Sequence, residues 1–169
     1  MHSLIAGVTE SGKTTLAKYM AELHRAQGFG VLVLTSVWEK WPADYQTTNE
    51  SDFLTNFWGS QQCVAFIDEG ADTVGRYNVA MRETATKGRH WGHSVYYLVQ
   101  SPALIDPTVR KQCSQLFCFA IAPGDAKALA EEYLQPALLD APTLQQFEYI
   151  RALRFGAHGK PIFERGKVR

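Results

Sequence analysis

Leu4-Ile5-Ala6-Gly7-Val8-Thr9-Glu10-Ser11-Gly12-Lys13-Thr14-Thr15 is the stretch on which the fold turns. Three apolar residues that read as a buried strand run into a glycine-bounded loop, and a helix-patterned segment, 13–27, follows at once. Gly7 to Thr14 carries the spacing GxxxxGK[ST] between strand and helix, the context that gives this motif its meaning. Glycines let the backbone wrap around phosphate oxygens, and successive N–H groups with the helix N-terminus supply positive potential. Lys13 is expected to reach the β- and γ-phosphates and Thr14 to bind Mg²⁺. The expected nucleotide-binding set is therefore Gly7, Val8, Thr9, Glu10, Ser11, Gly12, Lys13, Thr14 and Thr15, with ATP and Mg²⁺ as ligands.

Working outward, Val64-Ala65-Phe66-Ile67 delivers Asp68-Glu69 at the end of a second apolar run. In open α/β sheets ligands bind at the carboxyl ends of the strands, so these acids are expected at the same edge as the loop. Asp68 suits the Mg²⁺ shell, and Glu69 suits the activation of a water that attacks the γ-phosphoryl group. Val95-Tyr96-Tyr97-Leu98-Val99 ends in Gln100, an amide placed to sense nucleotide state if that strand lies beside the Asp68 strand. A polar strand end bonding nearby backbone is the alternative account of Gln100, and the sensor role is preferred.

Strand-like runs at 4–6, 31–35, 63–67, 94–99 and 116–122 alternate with helix-patterned stretches at 13–27, 52–58, 76–86 and 125–134. This alternation implies an α/β fold with a mainly parallel central sheet flanked by helices. Runs at 147–155 and 161–165 flank Gly156-Ala157-His158-Gly159-Lys160, which has the composition of a hairpin loop. We expect one domain over 1–169, a core of about 1–135 and a C-terminal extension with a β-hairpin over about 136–169. Ser36–Asn49 is the one long irregular segment and a candidate functional loop.

Seventeen basic and seventeen acidic residues cancel, so overall charge advertises neither nucleic acid nor an anionic membrane. Neutrality hides two basic segments, 76–111 and 151–169, each with six Lys or Arg. Either can contact DNA phosphates, and a solvated tail explains the second equally well. Cys63, Cys113 and Cys118 form no CxxC pair and read as reduced and structural. His90 and His93 lack a neighbouring ligand set, and Trp38, Trp41 and Trp58 read as packing residues. No apolar run approaches the roughly 20 residues of a membrane span, so a soluble, intracellular protein is expected.

An arginine can neutralise charge on the transferred phosphoryl group from a neighbouring subunit. Arg76, Arg82, Arg89 and Arg110 are candidates; Arg89, in the turn ahead of the Gln100 strand, is preferred, with Arg82 and Arg110 as alternatives.

With these residues placed, Lys87-Gly88-Arg89-His90-Trp91-Gly92-His93-Ser94, the Gln100 strand and Asp106-Pro107-Thr108-Val109-Arg110 resemble the FtsK/HerA superfamily. Within it they look most like small viral genome-packaging ATPases, over roughly residues 4–122. The resemblance implies a RecA-like P-loop ATPase core that forms a homo-oligomeric ring and translocates double-stranded DNA into a preformed capsid. It implies capsid vertex or portal proteins as partners and association with the virion. By position Lys13, Thr14, Asp68, Glu69 and Gln100 take the roles argued above. The membrane and DNA-reading domains of cellular FtsK proteins have no counterpart in this chain, which suggests a minimal motor. Two other readings stand beside it. Phe66-Ile67-Asp68-Glu69-Gly70 also resembles zinc-containing thymidine kinases, whose four-cysteine lobe the sequence lacks. A nucleotide-gated binding switch lacks its NKxD-like guanine motif.

Overall fold

His2–Ala6 forms β1, buried along its whole length, and Lys13–Ala26 forms α1 directly after the loop. The computed structural model describes residues 1–37, 39–69, 78–156 and 162–168. Trp38, Arg76 and most of the expected hairpin loop lie outside the described residues.

The chain continues through β2 (Val31–Leu34), β3 (Tyr45–Thr47), α2 (Glu50–Gly59), β4 (Val64–Ile67), α3 (Val79–Thr86) and a 3₁₀ turn at Gly88–Trp91. Then come β5 (Ser94–Val99), α4 (Pro107–Gln112), β6 (Cys113–Cys118), α5 (Pro123–Tyr133), a 3₁₀ segment (Pro136–Thr143), β7 (Glu148–Leu153) and β8 (Ile162–Lys167). Local chemistry sets the helix starts. Asn49 caps α2 by accepting the Asp52 N–H at 2.9 Å, Asn78 caps α3 by accepting that of Met81, and Asp106 caps α4 by accepting that of Thr108. Pro107 and Pro123 stand in the first turns of α4 and α5, where a missing N–H costs nothing.

Eight strands make one sheet in the order β3-β2-β4-β5-β1-β6-β7-β8. Every pair from β3 to β6 is parallel, and β7 and β8 add antiparallel to β6. The α/β fold, the parallel sheet and the C-terminal hairpin strands agree with the sequence reading. β3 and α4 do not appear in it: β3 is a half-exposed edge of three residues inside the 36–49 segment, too short to show a period, and α4 is a single capped helix turn and a half. The strand expected at 116–122 begins at Cys113 and stops at Cys118, because Pro123 opens α5 and the chain between them turns onto the Gly7 loop.

Alternate strand residues supply two apolar layers. Ile5, Val33, Phe66, Leu98 and Phe117 face α1, which buries Leu16, Ala17 and Ala21 against them. Leu4, Ala65, Tyr97 and Leu116 face the opposite way, against α2 to α5 through Phe53, Phe57, Met81, Val109 and Leu129. Burial on both faces is what a parallel sheet requires. Trp41 is core, 4% exposed beside Phe66, while Trp58 packs edge-on against Trp91. His93 is locked in one tautomer: its Nδ1 accepts the Cys63 N–H and its Nε2 donates to the Phe57 carbonyl, so it is a packed neutral ring. The three cysteines are free and buried, and burial pushes the Cys118 thiol up to about 12.

Leu134 ends α5 in the left-handed region, φ 52°, with its side chain 74% exposed. A leucine there keeps the backbone strain and gains almost no burial. Leu134→Gly is expected to stabilise the protein by about 1 kcal/mol, read as a raised midpoint in urea unfolding.

Candidate functional site

Parallel pairing brings the carboxyl ends of β1, β5 and β4 to one edge of the sheet, with β5 between the other two. The Gly7–Thr14 loop leaves β1, Gln100 follows β5, and Asp68-Glu69 follow β4. Lys13, Thr14, Asp68, Glu69 and Gln100 line one cavity of about 260 Å³, together with Thr9, Glu10, Val37 and Glu39. The residues singled out from strand ends far apart in sequence thus share a single site.

The loop is held by backbone bonds to its neighbours. Gly7 N–H donates to the Val99 carbonyl at 3.1 Å and Val8 N–H to that of Ala120 at 2.8 Å. Gly12 sits at φ 111° as the residue before α1, a conformation only glycine adopts without strain. A Cβ there would lie 2.8 Å from Phe147 Cδ1 and 3.2 Å from Phe119 Cε1. At Gly7 a Cβ would lie 2.7 Å from Phe119 Cβ. The motif's two outer glycines therefore answer to packing behind the loop as well as to whatever lies in front of it.

Lys13 donates to the Val8 carbonyl at 2.8 Å, which folds its side chain over the loop. Burial lowers its pKa from the ordinary 10.5, offset in part by the charges of Asp68 and Glu69. Burial raises the Asp68 pKa above the ordinary 3.8; the Glu69 N–H, which donates to Asp68 Oδ1 at 3.0 Å, works against this, and the Glu69 and Glu39 charges add to it. A half-buried ammonium and a half-buried carboxylate in one small cavity, neither fully compensated, form a site electrostatically suited to a partner carrying both negative oxygens and a divalent cation. Thr14 and Asp68 both line the cavity and offer hard oxygen donors. Two protein oxygens with room for water and phosphate fit Mg²⁺, which keeps several waters and takes one or two carboxylates from the protein.

Glu69 lies at φ 54°, a strained position for a non-glycine residue. Its carboxylate accepts the Ser36 hydroxyl at 2.8 Å. Ser36 follows β2, and from the same segment Glu39 reaches the cavity while bonded to Lys18 at 3.0 Å. Ser36 and Glu39 were not among the expected site residues; the irregular 36–49 segment was the only signal for them. A second cavity of about 280 Å³ flanks the loop, lined by Gly12, Thr14, Thr15, Gln146 and Phe147. Gln146 and Phe147 likewise carry no motif.

The arginines lie elsewhere. Arg89 is exposed in the 3₁₀ turn ahead of β5, and its charge acts on His2 at the start of β1, whose pKa is lowered to about 4 chiefly by burial. It therefore sits at the opposite edge of the sheet from Gln100. Arg82 is paired with Asp106, and Arg110 with Glu132 and the Pro102 carbonyl. In the second basic segment Arg151, Arg154, Arg165 and Lys167 pair with Glu164, Glu132, Asp140 and Glu148. No helix among the described residues is long and apolar enough to cross a membrane.

No protein-family model matches the chain. It is 27% identical over 111 residues to Protein P9 of Pseudoalteromonas phage PM2, a match that covers 64% of this chain and 50% of that protein. The matched segment thus spans half the length of that relative. Among solved structures it is similar to B204, the DNA-packaging ATPase of Sulfolobus turreted icosahedral virus, with a TM-score of 0.77 and 18% identity over 99% of this chain and 97% of that one. B204 of Sulfolobus turreted icosahedral virus 2, solved with ATPγS, gives 0.75 at 16% identity over 96% and 95% of the two chains. VirB4 of Thermoanaerobacter pseudethanolicus gives 0.74 at 10% identity over 99% and 89%. At these identities the likeness establishes the fold, and the resemblance to small viral packaging ATPases holds at that level: the chain has the fold of the B204 packaging NTPases across nearly its full length.

Proposed function

We propose that the chain is an ATP-driven double-stranded DNA translocase of the FtsK/HerA type, a viral genome-packaging ATPase working as a homo-oligomeric ring. The observation that carries this reading is the convergence of Lys13, Thr14, Asp68, Glu69 and Gln100 on one cavity at the carboxyl edge of β1, β5 and β4, in a fold shared with viral packaging NTPases.

The residues divide the work as their surroundings dictate. Loop N–H groups and the α1 N-terminus cradle the phosphates, and Lys13 exchanges its bond to the Val8 carbonyl for β- and γ-phosphate oxygens, which relieves its desolvation. Thr14 and Asp68 would hold Mg²⁺, which would supply positive charge to offset that of the phosphates. Glu69 orients and deprotonates the attacking water, and the Ser36 hydroxyl fixes the carboxylate's direction. Gln100 contacts the γ-phosphate or its water and reports nucleotide state to β5. Among the described candidates Arg82 and Arg110 are in ion pairs, so Arg89 is the preferred one to reach a neighbouring copy's site. Double-stranded DNA, other copies of the chain and capsid vertex or portal proteins are the corresponding partners.

Steady-state ATP hydrolysis with and without double-stranded DNA, across protein concentration, tests the whole reading. Turnover that rises with both supports the ring translocase; turnover indifferent to both removes it. Lys13→Ala is expected to abolish nucleotide binding or turnover. Glu69→Gln is expected to retain ATP while hydrolysis falls by roughly 10²–10⁴-fold, and normal turnover in that variant excludes Glu69 as the base.

Asp68 carries a stability signature of its own. A carboxyl with a raised folded pKa binds its proton more tightly folded than unfolded, so the stability linked to that proton is present at low pH and is lost as pH rises from 3.8 through the folded value. Asp68→Asn removes this loss. The melting temperature of metal- and nucleotide-free Asp68→Asn is expected to exceed that of wild type by a margin that grows through this window and then levels off. A margin independent of pH refutes the electrostatic account.

A further inference from the structure

The Gly7–Thr14 loop is braced from behind by a part of the chain far away in sequence. Gln146 and Phe147 form an elbow just before β7, and Phe147 lies at φ 68°, in the left-handed region that a bulky residue occupies only when its surroundings hold it there. Three contacts do so. The Phe147 N–H donates to the Ser11 carbonyl at 2.9 Å, its carbonyl accepts the Val168 N–H at 2.9 Å beyond the end of β8, and its ring lies against Gly12. Alongside, the Gln146 side-chain amide donates to the Glu10 carbonyl at 3.1 Å, and Glu10 is itself at φ 62°. Phe119 closes the other side of Gly12 and also packs on Gly7, and Tyr149 stands 5.4 Å behind Phe119. Two consecutive loop carbonyls and both outer glycines are therefore fixed by groups outside the loop.

We propose that the Gln146–Phe147 elbow is a positioning element for the Gly7–Thr14 loop, with Phe147 acting through Gly12 and Ser11. This rests on the loop being the phosphate cradle proposed above. The physical reason is that a loop whose N–H groups must converge on anionic oxygens loses affinity when it can sample other conformations, since binding then has to order it. Carbonyls that accept bonds from the elbow point away from the cradle, which leaves the N–H groups free to face it. The strained φ at Phe147 and Glu10 is stored in this arrangement and is sustained by the β7–β8 pairing, because Val168 anchors the elbow from the far strand. The C-terminal hairpin is on this account part of the nucleotide-binding apparatus, although none of its strand residues lines the main cavity.

Phe147→Ala, Phe147→Leu and wild type are compared by four measurements, of which steady-state ATP hydrolysis gives kcat and KM. Hydrogen exchange of the amides of residues 8–14 in nucleotide-free protein reads the loop alone. Affinities for ATP and for inorganic tripolyphosphate read the cradle with and without a nucleoside, and thermal melting reads global stability. Positioning predicts faster exchange at 8–14 in Phe147→Ala, a loss of about tenfold in affinity for ATP and tripolyphosphate alike, kcat changed less than KM, and substantial rescue by Phe147→Leu, which restores bulk beside Gly12. Unchanged exchange at 8–14 overturns the proposal, as does an affinity loss confined to ATP, which would make Phe147 a direct nucleoside contact. Lowered melting with unaltered exchange and affinities reduces the elbow to ordinary packing. If wild type binds neither ATP nor tripolyphosphate, the proposed function fails while the exchange comparison still decides whether the elbow positions the loop.

Discussion

Parallel pairing of β1, β5 and β4 is the constraint on which the rest of this molecule depends. Three strands that run the same way must end on the same side, and the chain leaves each of them carrying chemistry: a glycine loop, an amide and two acids. A parallel sheet also has to be covered on both faces, which accounts for α1 on one side and α2 to α5 on the other. The same helices connect the strands, so the requirement to bury the sheet and the requirement to assemble a site are met by one architecture. In the middle of the sheet Phe66 stacks flat on Tyr96 at 4.7 Å, adding a side-chain contact to the β4–β5 ladder, whose register sets where Asp68-Glu69 and Gln100 emerge.

The site is built against the local preferences of the chain. Glu10, Glu69 and Phe147 are non-glycine residues in the left-handed region, and all three border the two cavities that flank the loop. Lys13 and Asp68 are both partly desolvated, and among the described residues each side chain is bonded only to a backbone group, the Val8 carbonyl and the Glu69 N–H. Each of these features costs stability in the empty protein, and the two uncompensated charges are of the kind that anionic oxygens and a divalent cation would complement. The surrounding sheet, buried on both faces, offsets the cost.

Much of this was legible in the sequence because motif and period coincide. The strand before Gly7 and the helix after Lys13 define the loop without reference to any other part of the chain, and the apolar run 64–67 announces where Asp68 and Glu69 emerge. Tertiary partners of the site were not legible. Ser36 and Glu39 come from a segment with no period, where β3 is three residues long, and a serine that bonds a carboxylate looks like any serine. Gln146 and Phe147 meet the loop across 136 positions of chain by a side-chain amide and a backbone N–H, and backbone bonds leave no trace in residue identity. The pairing of 151–169 was hidden for a similar reason: its described cations face acids from other elements, which the local charge count does not show.

Arg89 brings the geometry of one chain to its limit. β5 spans six residues, so the 3₁₀ turn before it and Gln100 after it are separated by about 20 Å of extended strand. No side chain reaches across that distance. A guanidinium at Arg89 acts on a phosphoryl group only if a second copy presents its amino edge to the carboxyl edge of the first, an asymmetric, head-to-tail contact. Contacts of that kind propagate, closing into a ring when the rotation allows and running on as a filament when it does not. The same edge bears exposed His90 and Trp91 beside Arg89, with Trp91 braced by Trp58, which gives the turn a rigid apolar body behind its charge. The placement of this one arginine therefore ties chemistry at the site to assembly: if Arg89 takes part in turnover at all, turnover is a property of the assembled copies and not of the single chain.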